Sequence, residues 1–275
     1  HASDHCNRQF HWTGWSPYIA VVTNLMPNHL DRHGTMADYA LAKQEILENQ
    51  SLSDIALLGP GLPTEIKPRH HRIIRAPADG VIDGRIKLLL PGMHNQLNAW
   101  LAIEACMGAG VSPGRGAAAL SDFTGLPHRL QFVAEAHGVK FYNDSKATTP
   151  EAAMLALRSF AKGSVHIILG GYNKQSDLSA LAQLAAGHSH AVYTIGDTGP
   201  TLATLAMAAC ETATVHPCGD LDTAMTRIVR DMQSGHIVLL FTGLCLLRPV
   251  RQLRSPWRSL RPGGAQIHRL RVMSW

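Results

Sequence analysis

Residues 139–160 read VKFYNDSKATTPEAAMLALRSF, and the fold is decided in this stretch. An apolar and aromatic run, typical of a buried strand, ends in a turn crowded with a carboxylate, an ammonium and several hydroxyls. Thr149 as N-cap, Pro150 at the first helical position and Glu151 in the first turn then predict a helix. A strand that enters a helix through a short turn is the repeating unit of parallel α/β sheets.

The same alternation surrounds this unit up to about residue 240. Upstream, residues 129–136 and 139–143 flank His137-Gly138 and predict a hairpin. Downstream, apolar runs predict further strands, and amphipathic segments between them predict helices; the strands are 165–171, 191–197 and 236–240, and the helices are 178–186, 201–209 and 220–232. This pattern predicts an α/β domain with a mostly parallel sheet that helices cover on both faces.

An earlier part of the chain shows a separate α/β pattern. Residues 16–24 form a continuous apolar run, which predicts a strand buried on both faces. Further strands are predicted at 54–59 and 71–76, and helices at 36–49, 94–110 and 112–123. We place a domain boundary near residue 125, which gives domains at 1–125 and 126–240 and an Arg-rich tail at 241–275.

Composition excludes several classes of protein. Of 275 residues, 45% are apolar and 16% are charged, which favours a globular interior over disorder. The five cysteines are scattered singly, as in a reducing compartment. No HxH or HxxxH pair among the sixteen histidines lies in a suitable frame with cysteine partners, so no dedicated zinc site is expected. No apolar run is long enough to span a membrane, so no membrane insertion is expected.

The net charge of +5 comes from the tail alone. Residues 241–275 hold seven Arg and no Asp, Glu or Lys, and the rest of the chain has 18 basic and 20 acidic residues, a net of −2. A basic tail alone favours nucleic-acid binding only weakly, and no nucleic-acid partner is expected.

Polar clusters follow two predicted strands of the second domain. Lys146 follows the strand at 139–143, and Lys174 follows the strand at 165–171 with its paired glycines. In open α/β sheets, ligands bind beyond the carboxyl ends of the strands. Two lysines there favour carboxylate or phosphate ligands, although solvated loop lysines remain the alternative.

Two polar clusters also occur in the first domain. His29 and Asp31 follow the first strand and Lys43 lies on the next helix, a set that suits a divalent cation with phosphates. Asn95 and Asn98 lie at i and i+3 near a helix N-terminus, where anions are favoured. A polar helix start that merely caps itself would show the same spacing.

Taken in order, these stretches resemble the Mur ligase family. The resemblance covers residues 16 to about 240, and its matching stretches are TNLMPNHLDRHGTMADYALAKQEI, LPGMHNQLNAWLAIEA, FTGLPHRLQFV, GVKFYNDSKATTPEAA and ILGGYNK. It implies part of a P-loop-type central domain followed by a Rossmann-like C-terminal domain. It also implies a cytoplasmic, monomeric bacterial enzyme that uses ATP and Mg²⁺. Such an enzyme would join D-glutamate to UDP-N-acetylmuramoyl-L-alanine through an acyl phosphate, in peptidoglycan precursor synthesis.

The resemblance also implies roles for individual residues. His29 and a carbamylated Lys43 would hold Mg²⁺, since a carbamate is an oxygen ligand that a hard cation accepts. ATP would contact Asn95, Asn98, Arg129 and Asp144. D-Glutamate would be bound and oriented by Lys146, Thr148 and Lys174, with Lys146 counted among the catalytic groups beside His29 and Lys43. Nucleotide and amino acid would meet in a cleft between the domains.

Two parts of the family pattern are absent from the 275 residues. A GxxGK[ST] phosphate loop does not occur, and GDTGPT at 196–201 lacks the lysine such a loop needs. The uridine-nucleotide-binding domain that would precede the central domain is also missing. We therefore expect an N-terminally truncated fragment that is inactive alone. The alternative is a non-catalytic nucleotide-binding remnant or interaction module of the same fold.

The tail departs from the family pattern in a way that predicts its DNA. After residue 240 the family would present a loop like SPGxASxDxFxNFExRG, whereas residues 241–259 read FTGLCLLRPVRQLRSPWRS. Codons permitted for those residues, read one base later, encode SPGFASYDQFANFEARGEA. We therefore expect a one-base frameshift near Leu240–Phe241, which leaves 241–275 out of frame. Sequencing the underlying DNA checks this, and codons incompatible with the shifted reading would contradict it.

Overall fold

The structure, a computed structural model, describes residues 14–26, 33–68, 72–77, 86–171 and 177–242. These residues pack as two compact units, in which Glu151–Ala161 groups with the chain up to Phe132, and Val133–Pro150 groups with the chain from Lys162 onward. The predicted boundary lies near residue 125, whereas the first unit extends to Phe132 and also includes Glu151–Ala161. The predicted tail at 241–275 lies, from residue 243, outside the described residues.

The first unit is built on a parallel sheet. Strands β1 (Ile19–Val22), β2 (Ile55–Leu58) and β3 (Arg72–Arg75) pair in that order, with Ile19 opposite Ile55 and Ile55 opposite Arg72. Its helices are α1 (Met36–Glu48), α2 (Met93–Gly108) and α3 (Pro113–Ser121). Each of these elements was predicted from the sequence, with ends that differ by a few residues.

Side-chain alternation on β2 explains why helices cover both faces of this sheet. Ala56 and Leu58 face a core that includes Leu47 of α1, whereas Ile55 and Leu57 face a core that includes Leu101 of α2. Successive residues of a strand point to opposite faces, so an unbroken apolar run buries both faces of β2. All four β2 residues are buried.

The prediction that the first strand is buried on both faces is only half right. In β1, Ala20 and Val22 are buried and Ile19 and Val21 are half-buried. The described strands of this sheet place β1 at an edge, paired with β2 alone. An edge strand is flanked on one side only, and its side chains on one face keep partial exposure.

The second unit contains a sheet with the order β4-β5-β9-β6-β7-β8. Its strands are β4 (Gln131–Ala136), β5 (Val139–Asn143), β6 (Val165–Gly170), β7 (Ala191–Ile195), β8 (Val215–Gly219) and β9 (Ile237–Phe241). From β5 to β8 in this order, each strand pairs in parallel with the next. The predicted α/β fold with a mostly parallel sheet is therefore confirmed.

Four helices complete the description: α4 (Pro150–Leu157), α5 (Ser179–His188), α6 (Gly199–Ala209) and α7 (Leu221–Asp231). In the second unit, Met225 and Ile228 of α7 pack with Phe141, Tyr193 and Leu240 in one buried core. Asp220 caps α7, since its carboxylate accepts the backbone N–H of Thr223 at 2.8 Å. Within the described residues, none of the helices has the length and apolar character needed to cross a bilayer.

The sequence pattern did not predict strand β8. Its sequence, VHPCG, contains a proline and a glycine, which are rare in central strands because proline cannot donate to the ladder. The strand lies at the end of the described sheet and shifts register against β7 between Thr194 and Ile195. An edge position tolerates both residues.

Gly170 ends β6 where no side chain fits. A Cβ atom at this position would collide with the backbone carbonyl of Ile195 on β7. The pairing of Gly170 with Ile195 thus depends on the missing side chain. The first glycine of the GG pair therefore serves contact between strands.

We predict that Gly170→Ala lowers the free energy of unfolding by about 1–3 kcal/mol, because backbone must shift to admit the methyl group. The matched control is Gly187→Ala near the end of α5, where nothing lies within 4 Å of an added Cβ. That change should be neutral or stabilise by up to about 1 kcal/mol. Urea unfolding of both variants measures the difference, and equal stability of the two would contradict the packing argument.

Candidate functional site

The candidate site lies at the carboxyl edge of the second unit's sheet. Strand β9 pairs in parallel with β5 on one side and with β6 on the other, with Leu240 opposite both Asn143 and Ile168. Neighbouring strands are about 4.8 Å apart, so the ends of β5 and β6 lie about 10 Å from each other. The two turns that carry the predicted polar clusters therefore leave the sheet at the same edge, on either side of β9.

The turn after β5 separates buried polar groups from exposed ones. Asn143, Asp144 and Ser145 are buried. The backbone N–H of Asp144 donates to the Leu240 carbonyl at 2.9 Å, and that of Ser145 donates to the Asn143 side-chain oxygen at 3.0 Å. The first of these bonds fixes the turn to β9, and the second shapes the turn itself.

Lys146 and Thr148 are exposed immediately after this anchored segment. Their backbone is held in place by a turn in which Ala147 N–H donates to the Asp144 carbonyl at 3.1 Å. The ammonium and the hydroxyl are therefore presented to solvent from a rigid base. Such an arrangement suits binding of an anionic ligand at the sheet edge.

Gly171, the first residue after β6, is held by a residue that the sequence pattern did not single out. The Thr198 backbone N–H and hydroxyl each donate to the Gly171 carbonyl at 3.1 Å. Thr198 is buried, and it belongs to the GDTGPT segment that superficially resembles a phosphate loop. That segment thus supports the Gly171 turn. Lys174, predicted to bind D-glutamate, lies outside the described residues.

In the first unit, Lys43 lies on α1 next to an aromatic ring. Its Nζ is 5.3 Å from the centroid of the Tyr39 ring, one turn earlier, and the centroid of the His33 ring is 5.0 Å from that of Tyr39. The helix begins at a Thr35 cap whose oxygen accepts the Asp38 N–H at 3.1 Å. Lys43 is half-buried. The predicted metal ligand His29 lies outside the described residues, so the predicted pair of metal ligands is not described as a set.

Asn95 lies in the first turn of α2. Its side-chain amide donates to the Pro91 carbonyl at 2.7 Å. The N-cap residue, Gly92, has φ 96° and no side-chain cap bond. The first N–H groups of α2 thus receive no side-chain cap from residue 92, and helix N-termini of this kind favour anions. Asn98, one turn on, is exposed.

Arg129 is exposed in a tightly shaped turn between α3 and β4. The residues on either side, His128 with φ 63° and Leu130 with φ 43°, both adopt the left-handed region. This region costs a non-glycine residue about 1–2 kcal/mol. Leu130 is buried, and the His128 N–H donates to the Gln131 side chain at 3.0 Å. An observed strain of this kind supports a functional role for the turn.

Sequence comparison matches both parts of the chain to one family. Residues 2–76 match the Mur ligase middle domain, and residues 128–243 match the Mur ligase glutamate ligase domain. A relative from Acidobacterium capsulatum, UDP-N-acetylmuramoylalanine–D-glutamate ligase, is 36% identical over 251 residues, covering 82% of this chain and 54% of that protein. The protein of the same name from Koribacter versatilis is 38% identical over 205 residues, covering 66% and 45%. The chain spans about half the length of these relatives.

Solved structures share the fold at lower identity. The MurF ligase of Thermotoga maritima in complex with ADP matches with a TM-score of 0.63 at 17% identity, over 82% of this chain and 58% of that one. The MurC ligase of the same organism, UDP-N-acetylmuramate-alanine ligase, matches with a TM-score of 0.62 at 16% identity, over 85% and 58%. Together with the two domain matches, these similarities show that the chain belongs to the Mur ligase family.

Proposed function

We propose that these residues are part of an ATP-dependent ligase that joins D-glutamate to UDP-N-acetylmuramoyl-L-alanine in peptidoglycan precursor synthesis. The relatives that match most of the chain carry the corresponding name. The observation that carries the proposal is the insertion of β9 between β5 and β6, which brings the DSKAT turn and the Gly171 turn to one sheet edge. The proposal places the enzyme in the bacterial cytoplasm as a monomer.

In the second unit, we assign D-glutamate to the carboxyl edge. Lys146 would neutralise a carboxylate of the amino acid, Thr148 would donate a hydroxyl to it, and Lys174 would approach from the β6 side. The exposure of Lys146 and Thr148 above the buried anchor of Asn143 to Ser145 supports this assignment. A dicarboxylate needs more than one cationic or hydroxyl partner, and two turns about 10 Å apart can supply them.

In the same unit, we assign Asp144 to the ribose hydroxyls of ATP. The first unit would contribute the other nucleotide contacts: Asn95 and Asn98 to the adenine and phosphates, and Arg129 to the phosphates. The exposed guanidinium on a strained turn and the helix N-terminus at Gly92 both suit anionic groups. The hydrogen bond from Asn95 to Pro91 would be exchanged for a nucleotide contact.

Mg²⁺ would be held by His29 and Lys43, with Lys43 as a carbamate. The donor chemistry fits this role in part, because a carbamate supplies the oxygen that Mg²⁺ prefers. The ammonium form instead suits the contact with the Tyr39 ring, which favours a cation. Carbamylation would therefore exchange a cation–π contact for a metal ligand.

The proposed reaction has two steps. The substrate carboxylate attacks the γ-phosphorus of ATP, which releases ADP and forms an acyl phosphate. The amine of D-glutamate then attacks the acyl carbon and loses a proton, and phosphate leaves as the amide forms. The chain's own cationic side chains would act by offsetting negative charge that accumulates around the reacting groups, an effect that positioned donors supply.

We predict that Lys146→Ala abolishes most of the ligase activity without unfolding the protein. The test uses a chimera in which residues 14–242 replace the aligned segment of the Acidobacterium capsulatum relative, which supplies the remaining length. ATP-dependent incorporation of labelled D-glutamate should fall about 10²–10³-fold, the loss typical of one preorganised charge-stabilising group. The thermal midpoint should not change, because Lys146 is exposed.

Lys162→Ala is the matched control. Lys162 is also exposed, but it precedes β6 and therefore lies toward the amino edge of the sheet. This variant should incorporate D-glutamate at the rate of the unsubstituted chimera. Near-normal incorporation by Lys146→Ala would refute the assignment of the amino-acid site. ATP binding by the unsubstituted chimera without product would favour the non-catalytic alternative.

A further inference from the structure

Three histidines converge at the amino edge of the second unit's sheet, opposite the candidate ligase site. His166 is the second residue of β6, His190 immediately precedes β7, and His236 immediately precedes β9. Since β9, β6 and β7 are consecutive parallel strands, their amino ends lie side by side. Residues far apart in sequence are thus brought to one point by strand order alone.

The three rings are close enough to share a ligand. One nitrogen from each ring lies within 4.8 Å of the others. The ring centroids are 4.8 Å apart for His166 and His190, 5.0 Å for His166 and His236, and 4.6 Å for His190 and His236. His166 is fully buried, His236 is half-buried and His190 is exposed, so the cluster is accessible from one side.

A hydrogen-bonded chain orients the buried ring. The Nδ1 atom of His166 lies 3.1 Å from the Tyr193 hydroxyl, and its Nε2 atom lies 2.9 Å from Nδ1 of His236. The Gln233 N–H donates to that same Nδ1 of His236 at 3.3 Å. This nitrogen is therefore an acceptor, and its lone pair points toward the Gln233 N–H and Nε2 of His166. Tyr193 thus holds one nitrogen of His166 and leaves the other directed at the cluster.

Burial favours the neutral form of two of the rings. Burial first, and then the neighbouring His190 and His236, lower the pKa of His166 to about 4. Burial followed by the charge of His190 lowers the pKa of His236. Metal ions bind the neutral imidazole, so His166 and His236 favour the form that coordinates. A fourth histidine, His216, also packs near Tyr193, with ring centroids 5.0 Å apart. Its Nδ1 atom lies 3.3 Å from the Arg227 guanidinium rather than facing the cluster.

We propose that His166, His190 and His236 form a binding site for a divalent transition metal ion, with Zn²⁺ as its probe. Three imidazoles and a water would complete a tetrahedral shell, the geometry that Zn²⁺ adopts with nitrogen ligands. Zn–N bonds of about 2.0–2.1 Å require ligand nitrogens about 3.3–3.4 Å apart. The 2.9 Å between His166 and His236 must therefore widen by only a few tenths of an ångström.

Metal binding would move one proton within the His166 ring. In the metal-free chain, the Tyr193 hydroxyl donates to Nδ1 of His166, and the Nε2–H of His166 donates to His236. With the ion bound, the proton of His166 moves to Nδ1 and is donated to the Tyr193 oxygen, and the Nε2 lone pair coordinates. Tyr193 then acts as a positioning residue, like the outer-shell partners that orient ligand histidines. The ion would clamp the amino ends of β9, β6 and β7 together.

The site is tested by Zn²⁺ titration of the 275-residue chain at neutral pH against a chromophoric chelator. The unsubstituted chain should bind Zn²⁺ with an affinity that falls at least about tenfold in His190→Ala and in His236→Gln. Both residues are at least partly exposed, so neither change should impair folding. Tyr193→Phe should lower the affinity about tenfold or more without changing the number of ions bound, as loss of an outer-shell partner does.

His137→Asn is the matched control for the chain's other histidines. His137 is exposed in the β4–β5 turn with φ 53°, a conformation that asparagine tolerates. Its Zn²⁺ affinity should equal that of the unsubstituted chain. In addition, Co²⁺ should give the intense visible absorption of a tetrahedral site, which His190→Ala should lose. Equal Zn²⁺ affinity in His190→Ala and the unsubstituted chain, or equal loss in His137→Asn, would overturn the proposal.

Discussion

The pairing of β9 with two strands at once is the constraint on which the second unit depends. The last strand of the described chain enters the sheet between β5 and β6 and bonds in parallel to both. Its core residues Val238, Leu239 and Leu240 are almost fully buried. Without β9, the turns after β5 and β6 would have no common frame, because the two strands do not pair with each other. The candidate ligand site is therefore completed by the last strand of the described residues.

One strand arrangement has opposite consequences at its two edges. At the carboxyl edge, turns anchored by Leu240 and Thr198 present an exposed ammonium and hydroxyl above buried polar groups. At the amino edge, β9, β6 and β7 gather three imidazoles, of which burial keeps that of His166 neutral. A cationic edge suits an anionic substrate, whereas neutral imidazoles suit a metal ion. The length of the strands thus separates the proposed anion site at one edge of the sheet from the proposed metal site at the other.

Helix starts and the order of strands and helices were predictable because they depend on residues close together in the sequence. The N-cap at Thr35, the proline that begins α4 and the strand-to-helix alternation follow from capping and periodicity. Strand β8 was missed because its edge position tolerates a proline. The histidine cluster was missed because His166 and His236 are 70 residues apart and only the strand order joins them. Asn95 carries two interpretations, a nucleotide contact and a self-capped helix start, that spacing alone does not separate.

The central claim is that the turns after β5 and β6 form one binding edge for the amino-acid substrate. It is tested most directly by titrating the isotope-labelled chain with millimolar D-glutamate and following backbone amide resonances. We expect saturable amide shifts at Ser145 to Thr148 and at Gly171, with smaller shifts for L-glutamate. Amides at Lys162 to Ser164, toward the amino edge, should not move. Shifts confined to that amino edge, or identical responses to both enantiomers, would contradict it.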